Sequence, residues 1–162
     1  MSAPDDGARG TDTPEDRIAA AGLTLPEAAV PLAAYLPAVR DGDHVWTSGQ
    51  LPTVNGNLLA RGKVGSEVSQ EEAVACARQC ALNAPAAVKG VVGELSAVRQ
   101  VVKAVVFVAS DPGFSGQPAV ANGVSELLVQ IFGDAGKHAR SAVGVAVLPL
   151  DAPVEAEIVV RV

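Results

Sequence analysis

The stretch V-R-Q-V-V-K-A-V-V-F-V-A-S-D-P-G-F-S-G-Q-P-A-V-A-N-G-V-S-E-L-L-V-Q-I-F-G, residues 98–133, holds the reading on which the fold turns. Val98 to Ala109 is dense in valine and predicts a long strand, and its near-continuous half V-V-F-V-A predicts burial on both faces. Pro118 to Phe132 then puts Val120, Val124, Leu127, Leu128 and Ile131 on one helical stripe, with Gly133 as the stop. Upstream, Ser69 and Glu72 form a capping-box signature. The helix they open carries Ala73, Ala77, Cys80, Ala81 and Ala84 on one face, with a kink expected at Pro85 and an end at Gly90 or Gly93. Val54-Asn55-Gly56-Asn57 reads as a tight turn. Arg40-Asp41-Gly42-Asp43 reads as a hairpin turn between strands Tyr35–Val39 and His44–Ser48. Downstream, Arg140 to Val147 and Val154 to Val162 read as a closing hairpin around Leu148 to Pro153.

The order hairpin, helix, strand, helix, hairpin returns each helix to the same face of one sheet, because crossovers share one hand. The fold class expected is α+β: two layers, one mixed sheet with two main helices on one face. Residues 1–12 are polar and too poor in apolar side chains to order themselves. Thr13-Pro14-Glu15-Asp16 opens a short helix that Gly22 ends, Leu23-Thr24-Leu25 is a short extended piece, and a connector leads to the main domain at 35–162.

The chain has 162 residues, 49% apolar and 3% aromatic, so one domain with a core of Val, Ala, Leu and Ile is expected. Twelve Lys+Arg against eighteen Asp+Glu give a formal charge of −6, and no basic cluster offers a grip on a phosphate backbone. Nucleic acid is not the expected partner. The longest apolar run, Ala104 to Ala109, is too short to span a bilayer, and the opening S-A-P-D-D-G is not a secretory signal. Cys76 and Cys80 share a helical face and read as two small buried core residues. A reduced, cytoplasmic setting away from membranes is the expectation.

Several residues could carry chemistry. Arg140 enters a valine-rich strand with a guanidinium that needs an anion and fits a carboxylate bidentately. A structural salt bridge to Glu155 or Glu157 is the competing reading. Those two acids alternate onto one face of the last strand, where Glu155 could position a water or simply be solvated. His138 is either an acid–base group beside Arg140 or a solvent-side residue at a loop–strand junction. His44 and His138 make no metal-ligand set. Gly49 follows an apolar strand, where a missing Cβ admits a ligand or marks a bulge. No nucleotide, serine-hydrolase or zincin motif is present.

The segments W-T-S-G-Q-L-P (46–52), F-V-A-S (107–110) and H-A-R-S-A-V-G-V-A-V-L-P-L-D-A-P-V-E-A-E (138–157) together resemble the RidA/YjgF family of reactive intermediate deaminases, over roughly residues 23–162. Y-x-P-x-V-R-x-G (35–42) and F-G-x-x-G-x-H-A-R-S-A-V-G (132–144) look more like a sister branch than like the best-known deaminases. The resemblance implies a chorismate-mutase-like fold, a homotrimer with sites between subunits, and hydrolysis of 2-imino acids such as 2-iminopropanoate and 2-iminobutanoate to 2-oxo acids and ammonia. It implies no cofactor and no metal. By the same resemblance Arg140 binds the substrate carboxylate and Glu155 positions water, while Tyr35, Ser48, Gly49 and Asn122 line the substrate site. Ala142 stands where deaminases carry cysteine. That departure keeps open a non-catalytic trimer that binds or senses small carboxylates such as 2-oxo acids. The ribonuclease role attached to the family by older naming fits poorly with the acidic charge.

Overall fold

The computed structural model describes residues 12–28, 30 and 33–162. The expected N-terminal tail lies, apart from Asp12, outside them. Local capping chemistry sets the helix starts. In α1 (Pro14–Ala20) the Thr13 hydroxyl accepts from Asp16 N–H while the Asp16 carboxylate accepts from Thr13 N–H, and Pro14 occupies the first turn. In α2 (Gln70–Val92) Ser69 and Glu72 do the same, and Gly93 caps the end at φ 88°. The helix continues through Pro85, which lies inside it. In α3 (Gln117–Phe132) the stripe Val120, Val124, Leu127, Leu128, Ile131 is buried, and Gly133 ends the helix at φ 62°.

Five strands form the main sheet: β1 (Ala38–Asp41), β2 (His44–Thr47), β5 (Gln100–Ala109), β6 (Ala139–Val145) and β7 (Val154–Arg161). A separate small hairpin joins β3 (Thr53–Val54) to β4 (Asn57–Leu58) through Asn55 and Gly56, both at positive φ as an Asn-Gly turn requires. Residues 35–37 precede the first strand, which starts at Ala38 rather than Tyr35. The sheet order is β1-β2-β7-β5-β6, with β5 and β6 parallel and the other pairs antiparallel. The closing hairpin is therefore overturned: β5 lies between β6 and β7. A helix connects β5 to β6 and so sets them side by side in parallel, leaving the other edge of β5 free for β7.

Both long helices pack on one face of the sheet, around a core of Val45, Val101, Ala104, Val106, Val108, Val154, Ala156, Ile158 and the buried helix faces. The opposite face carries no helix, so β5 alternates between buried and half-buried residues instead of being buried on both sides. Leu23 and Leu25 form no strand but pack against the core. α1 joins the same body: Ile18 is buried, and the Glu15 carboxylate accepts from Lys89 Nζ at 3.2 Å and Leu95 N–H at 2.9 Å. Cys76 and Cys80 are free thiols on the buried face of α2. Burial pushes Cys76 up to about 11, with the Glu72 charge adding to the effect, and pushes Cys80 up as well. No helix among the described residues is long and apolar enough to cross a membrane.

The two long helices meet where Gly123 faces α2. A Cβ there would stand 2.6 Å from the Val74 carbonyl oxygen and 3.1 Å from Ala77 Cβ. Gly123→Val should therefore force the helices apart at a cost of about 1–3 kcal/mol. Thermal unfolding should show a Tm lower by roughly 2–12 °C, and an unchanged Tm would show that this helix pair has slack.

Candidate active site

A cavity of about 490 Å³ opens beside the end of β2 and is lined by Tyr35, Ser48, Gly49, Leu51, Pro149 and Glu155, among others. Backbone bonding holds its floor. Gln50 N–H donates to the Ala156 carbonyl at 2.7 Å and Ala156 N–H returns a bond to Gln50 at 3.0 Å, so the S-G-Q loop continues the β2–β7 pairing as an isolated bridge. Ser48 N–H donates to Pro37 O at 2.8 Å, and its hydroxyl donates to Leu36 O at 2.6 Å. That uses the hydroxyl hydrogen and leaves Ser48 only acceptor capacity toward a ligand. Asn83, a buried polar residue in the middle of α2, donates to Leu51 O at 2.9 Å and Thr53 O at 3.1 Å, which ties the far wall to the helix layer. Leu150 and Asp151, beside Pro149, both adopt positive φ. Their carbonyls are held by Arg61 and by Gly62 N–H, an anchored strained turn at the rim.

Glu155 reaches over Gly49 so closely that a Cβ there would lie 1.8 Å from Oε1. The space a side chain would take at Gly49 is filled by the carboxylate lying on it. Glu155 is half-buried and accepts no hydrogen bond from the described residues. Burial raises its pKa above the ordinary carboxylate value, with Glu157 adding a smaller push the same way.

Arg140 lies elsewhere. It is the second residue of β6 at the sheet edge, opposite Ala104, whose side chain is in the core between sheet and helices. Glu155 is paired with Phe107 on the other parity, so Arg140 and Glu155 project from opposite faces of the sheet with β5 between their strands. Neither expected ion pair forms: no carboxylate of the described residues comes within salt-bridge distance of Arg140. Instead Nη1 donates to Asn122 Oδ1 at 2.9 Å and Ser125 Oγ at 3.2 Å. Neutral acceptors hold the guanidinium and leave its charge uncompensated. His138 is half-buried. Its Nε2 is 3.0 Å from Ser125 Oγ, and its Nδ1 is 2.6 Å from the Gly136 carbonyl. Ala142 shares the Arg140 face of β6, is half-buried and packs on the core.

Within one chain, then, Tyr35, Ser48, Gly49 and Glu155 gather at the cavity, whereas Arg140, Asn122 and Ala142 form a second patch. Sequence reasoning passed over Asn83, Ser125 and the bonded state of His138. A polar residue on the otherwise apolar face of α2 was the one available signal for Asn83. No group of three or more His, Cys, Asp or Glu among the described residues could hold a metal ion.

The YjgF/chorismate-mutase-like endoribonuclease family matches residues 15–159. The chain belongs to this family. Protein TCP17 of Trypanosoma cruzi is 42% identical over 141 residues, which are 86% of this chain and 88% of that protein. The crystal structure of Atu1372 from Agrobacterium tumefaciens, of unknown function, superposes with a TM-score of 0.88 at 41% identity, covering 93% of each chain. That of TdcF from E. coli, with bound serine, gives 0.58 at 25% identity over 85% of this chain and 94% of TdcF. The difference between the two scores agrees with a sister-branch position within the family, and the α+β fold is the one expected.

Proposed function

We propose that the protein hydrolyses small 2-imino acids to 2-oxo acids and ammonia, at a site assembled between subunits. The observation that carries this reading is an arginine with no acidic partner among the described residues, set against a half-buried carboxylate with no hydrogen-bond donor among them. Because the two lie on opposite faces of the sheet, the edge strand of one copy has to meet the cavity of another. A closed homotrimer satisfies this with three equivalent sites. TdcF holds a free amino acid, serine, which supports a small carboxylate as the ligand class.

In the assembled site the open edge of Arg140 clamps the α-carboxylate with two parallel hydrogen bonds, fixing the imine carbon in place. Glu155, ionised, takes a proton from a water as the oxygen adds to the C=N carbon and the π pair moves to nitrogen. Glu155 returns the proton to nitrogen of the resulting carbinolamine, then takes the hydroxyl proton as the O–H pair forms the carbonyl and the C–N bond breaks with its pair leaving on nitrogen. The departing ammonia takes that proton from Glu155, so ammonium and the 2-oxo acid leave and the carboxylate is regenerated. A protonated imine is already electrophilic, so one carboxylate and one guanidinium suffice for the sequence.

The test is an amino-acid oxidase coupled assay in which semicarbazide traps surviving imine. Wild type should lower the trapped fraction. Arg140→Ala should lose about 10- to 150-fold in kcat/KM, the worth of a charged hydrogen-bonded pair. Mixing unfolded Arg140→Ala and Glu155→Gln chains and refolding them together should restore about a quarter of wild-type activity, because random assembly rebuilds that share of two-chain sites. No restoration would place both residues in one chain's site and sink the shared-site reading. Identical imine decay with and without protein would sink the activity itself.

Ala142 favours a second reading, a trimer that binds 2-oxo acids without turnover, since the deaminase cysteine is missing there. A thermal shift with 2-oxobutanoate and no imine hydrolysis would select it. The family name also carries ribonucleolysis, but a chain of net charge −6 lacks the cationic field that retains a polyphosphate.

A further inference from the structure

We propose that His138 and Ser125 form a positioning relay that sets the plane of the Arg140 guanidinium, an inference that rests on reading Arg140 as the carboxylate anchor. The hydrogen-bond directions follow from the acceptors. The Gly136 carbonyl, 2.6 Å from His138 Nδ1, can only accept, so Nδ1 carries the hydrogen. In the neutral ring Nε2 is then a lone pair, and the Ser125 hydroxyl at 3.0 Å donates to it. With its hydrogen committed there, Ser125 Oγ can present only lone pairs to Arg140 Nη1 at 3.2 Å. Asn122 Oδ1 takes the other hydrogen of the same nitrogen at 2.9 Å. Both hydrogens of Nη1 are thereby spent, and the Nε and Nη2 edge remains open for a bidentate anion.

The histidine matters because Ser125 lies inside α3. A mid-helix serine left alone turns its hydroxyl back to the carbonyl four residues earlier, here Ala121. That rotation would withdraw the Oγ lone pairs from Arg140. His138 competes for the hydroxyl hydrogen and holds Oγ facing the sheet edge. The chain is pressed into place for this by Gly136, where a Cβ would stand 2.3 Å from the Leu128 carbonyl oxygen, so the 136–138 segment lies directly against α3. Arg140 without the relay would still be a positive charge, but its fork would no longer be aimed.

Calorimetric titration with 2-oxobutanoate tests the relay. Ser125→Ala and His138→Phe should each weaken binding by about three- to tenfold, the range of one lost hydrogen bond, and the double variant should be no weaker than either single one. Ser125→Thr keeps the hydroxyl and His138→Gln keeps an acceptor, so both should recover most of the loss. Wild-type affinity in Ser125→Ala, or losses that multiply in the double variant, would overturn the relay while Arg140→Ala still reports the anchor. If wild type binds no 2-oxobutanoate, the anchor reading fails and nitrogen NMR decides the relay alone. A His138 ring protonated only at Nδ1, with Arg140 side-chain signals that broaden in Ser125→Ala, supports it. Protonation at Nε2, or unchanged Arg140 signals, overturns it.

Discussion

Glu155→Gln is expected to lower kcat for imine hydrolysis by about 10²- to 10⁴-fold, the usual contribution of a general base, and at the same time to raise the melting temperature at pH 8. The two effects share one cause. Burial, and secondarily Glu157, raise the Glu155 pKa in the folded chain above its ordinary value. The folded state therefore holds this proton more tightly than the unfolded state does. The stability linked to it is fully present below the unfolded pKa and is lost as pH rises through the folded pKa. At pH 8 the wild type carries an ionised, half-buried carboxylate without a donor among the described residues, and the neutral amide removes that penalty. Below pH 4 wild type and variant are both neutral at this position, so their Tm values should converge. Thermal scans of the two proteins from pH 4 to pH 8 check the sign. A variant that is less stable at pH 8 would mean that Glu155 is a structural ion-pair member. Catalytic activity should follow the same group, with an acid limb that moves to lower pH in Glu157→Gln.

Gly49→Ala is expected to cost about 100-fold or more in kcat, the scale of a displacement near 1 Å in a reacting group, with little loss of fold. The new Cβ would stand 1.8 Å from Glu155 Oε1, 2.7 Å from Cδ and 3.1 Å from Cγ. Gly49 is not among the positive-φ glycines, so alanine fits the backbone there, and the clash is resolved by swinging the carboxylate out of place. Tm should shift by no more than about 3 °C, corresponding to roughly 1 kcal/mol in a chain of this size. KM should change much less than kcat, because in the proposed shared site the Arg140 of another copy still holds the ligand carboxylate. Steady-state kinetics and one melting curve decide it. A wild-type kcat would show that Glu155 works from a different position than the one over Gly49.

Much of the local structure was legible in the residues. Periods of apolar side chains marked α2 and α3, capping boxes at Thr13 and Ser69 marked two helix starts, and Asn55-Gly56 marked the small turn. These are interactions between residues close in the chain, so local order encodes them. The pairing of β7 was not legible. A ladder of backbone hydrogen bonds is nearly indifferent to side-chain identity, and Val154–Val162 would satisfy either β5 or β6. The likeness to a known family identified Arg140, Glu155, Tyr35, Ser48, Gly49, Asn122 and Ala142 together, but nothing in their spacing said that they divide into two patches. Ser125 gave no signal, since a serine within a helix is ordinary until its partners are known, and His138 was marked only by standing two residues before Arg140.

By itself the sequence determined the family and the α+β composition of elements, because each is carried by short-range patterning or by an ordered set of motifs. Only the tertiary structure decided that β5 lies between the strands bearing Arg140 and Glu155. The physical reason is side-chain parity across a pleated sheet: one step along a strand turns a residue to the other face. An arginine and a glutamate that seem ready to pair on paper are thus held apart.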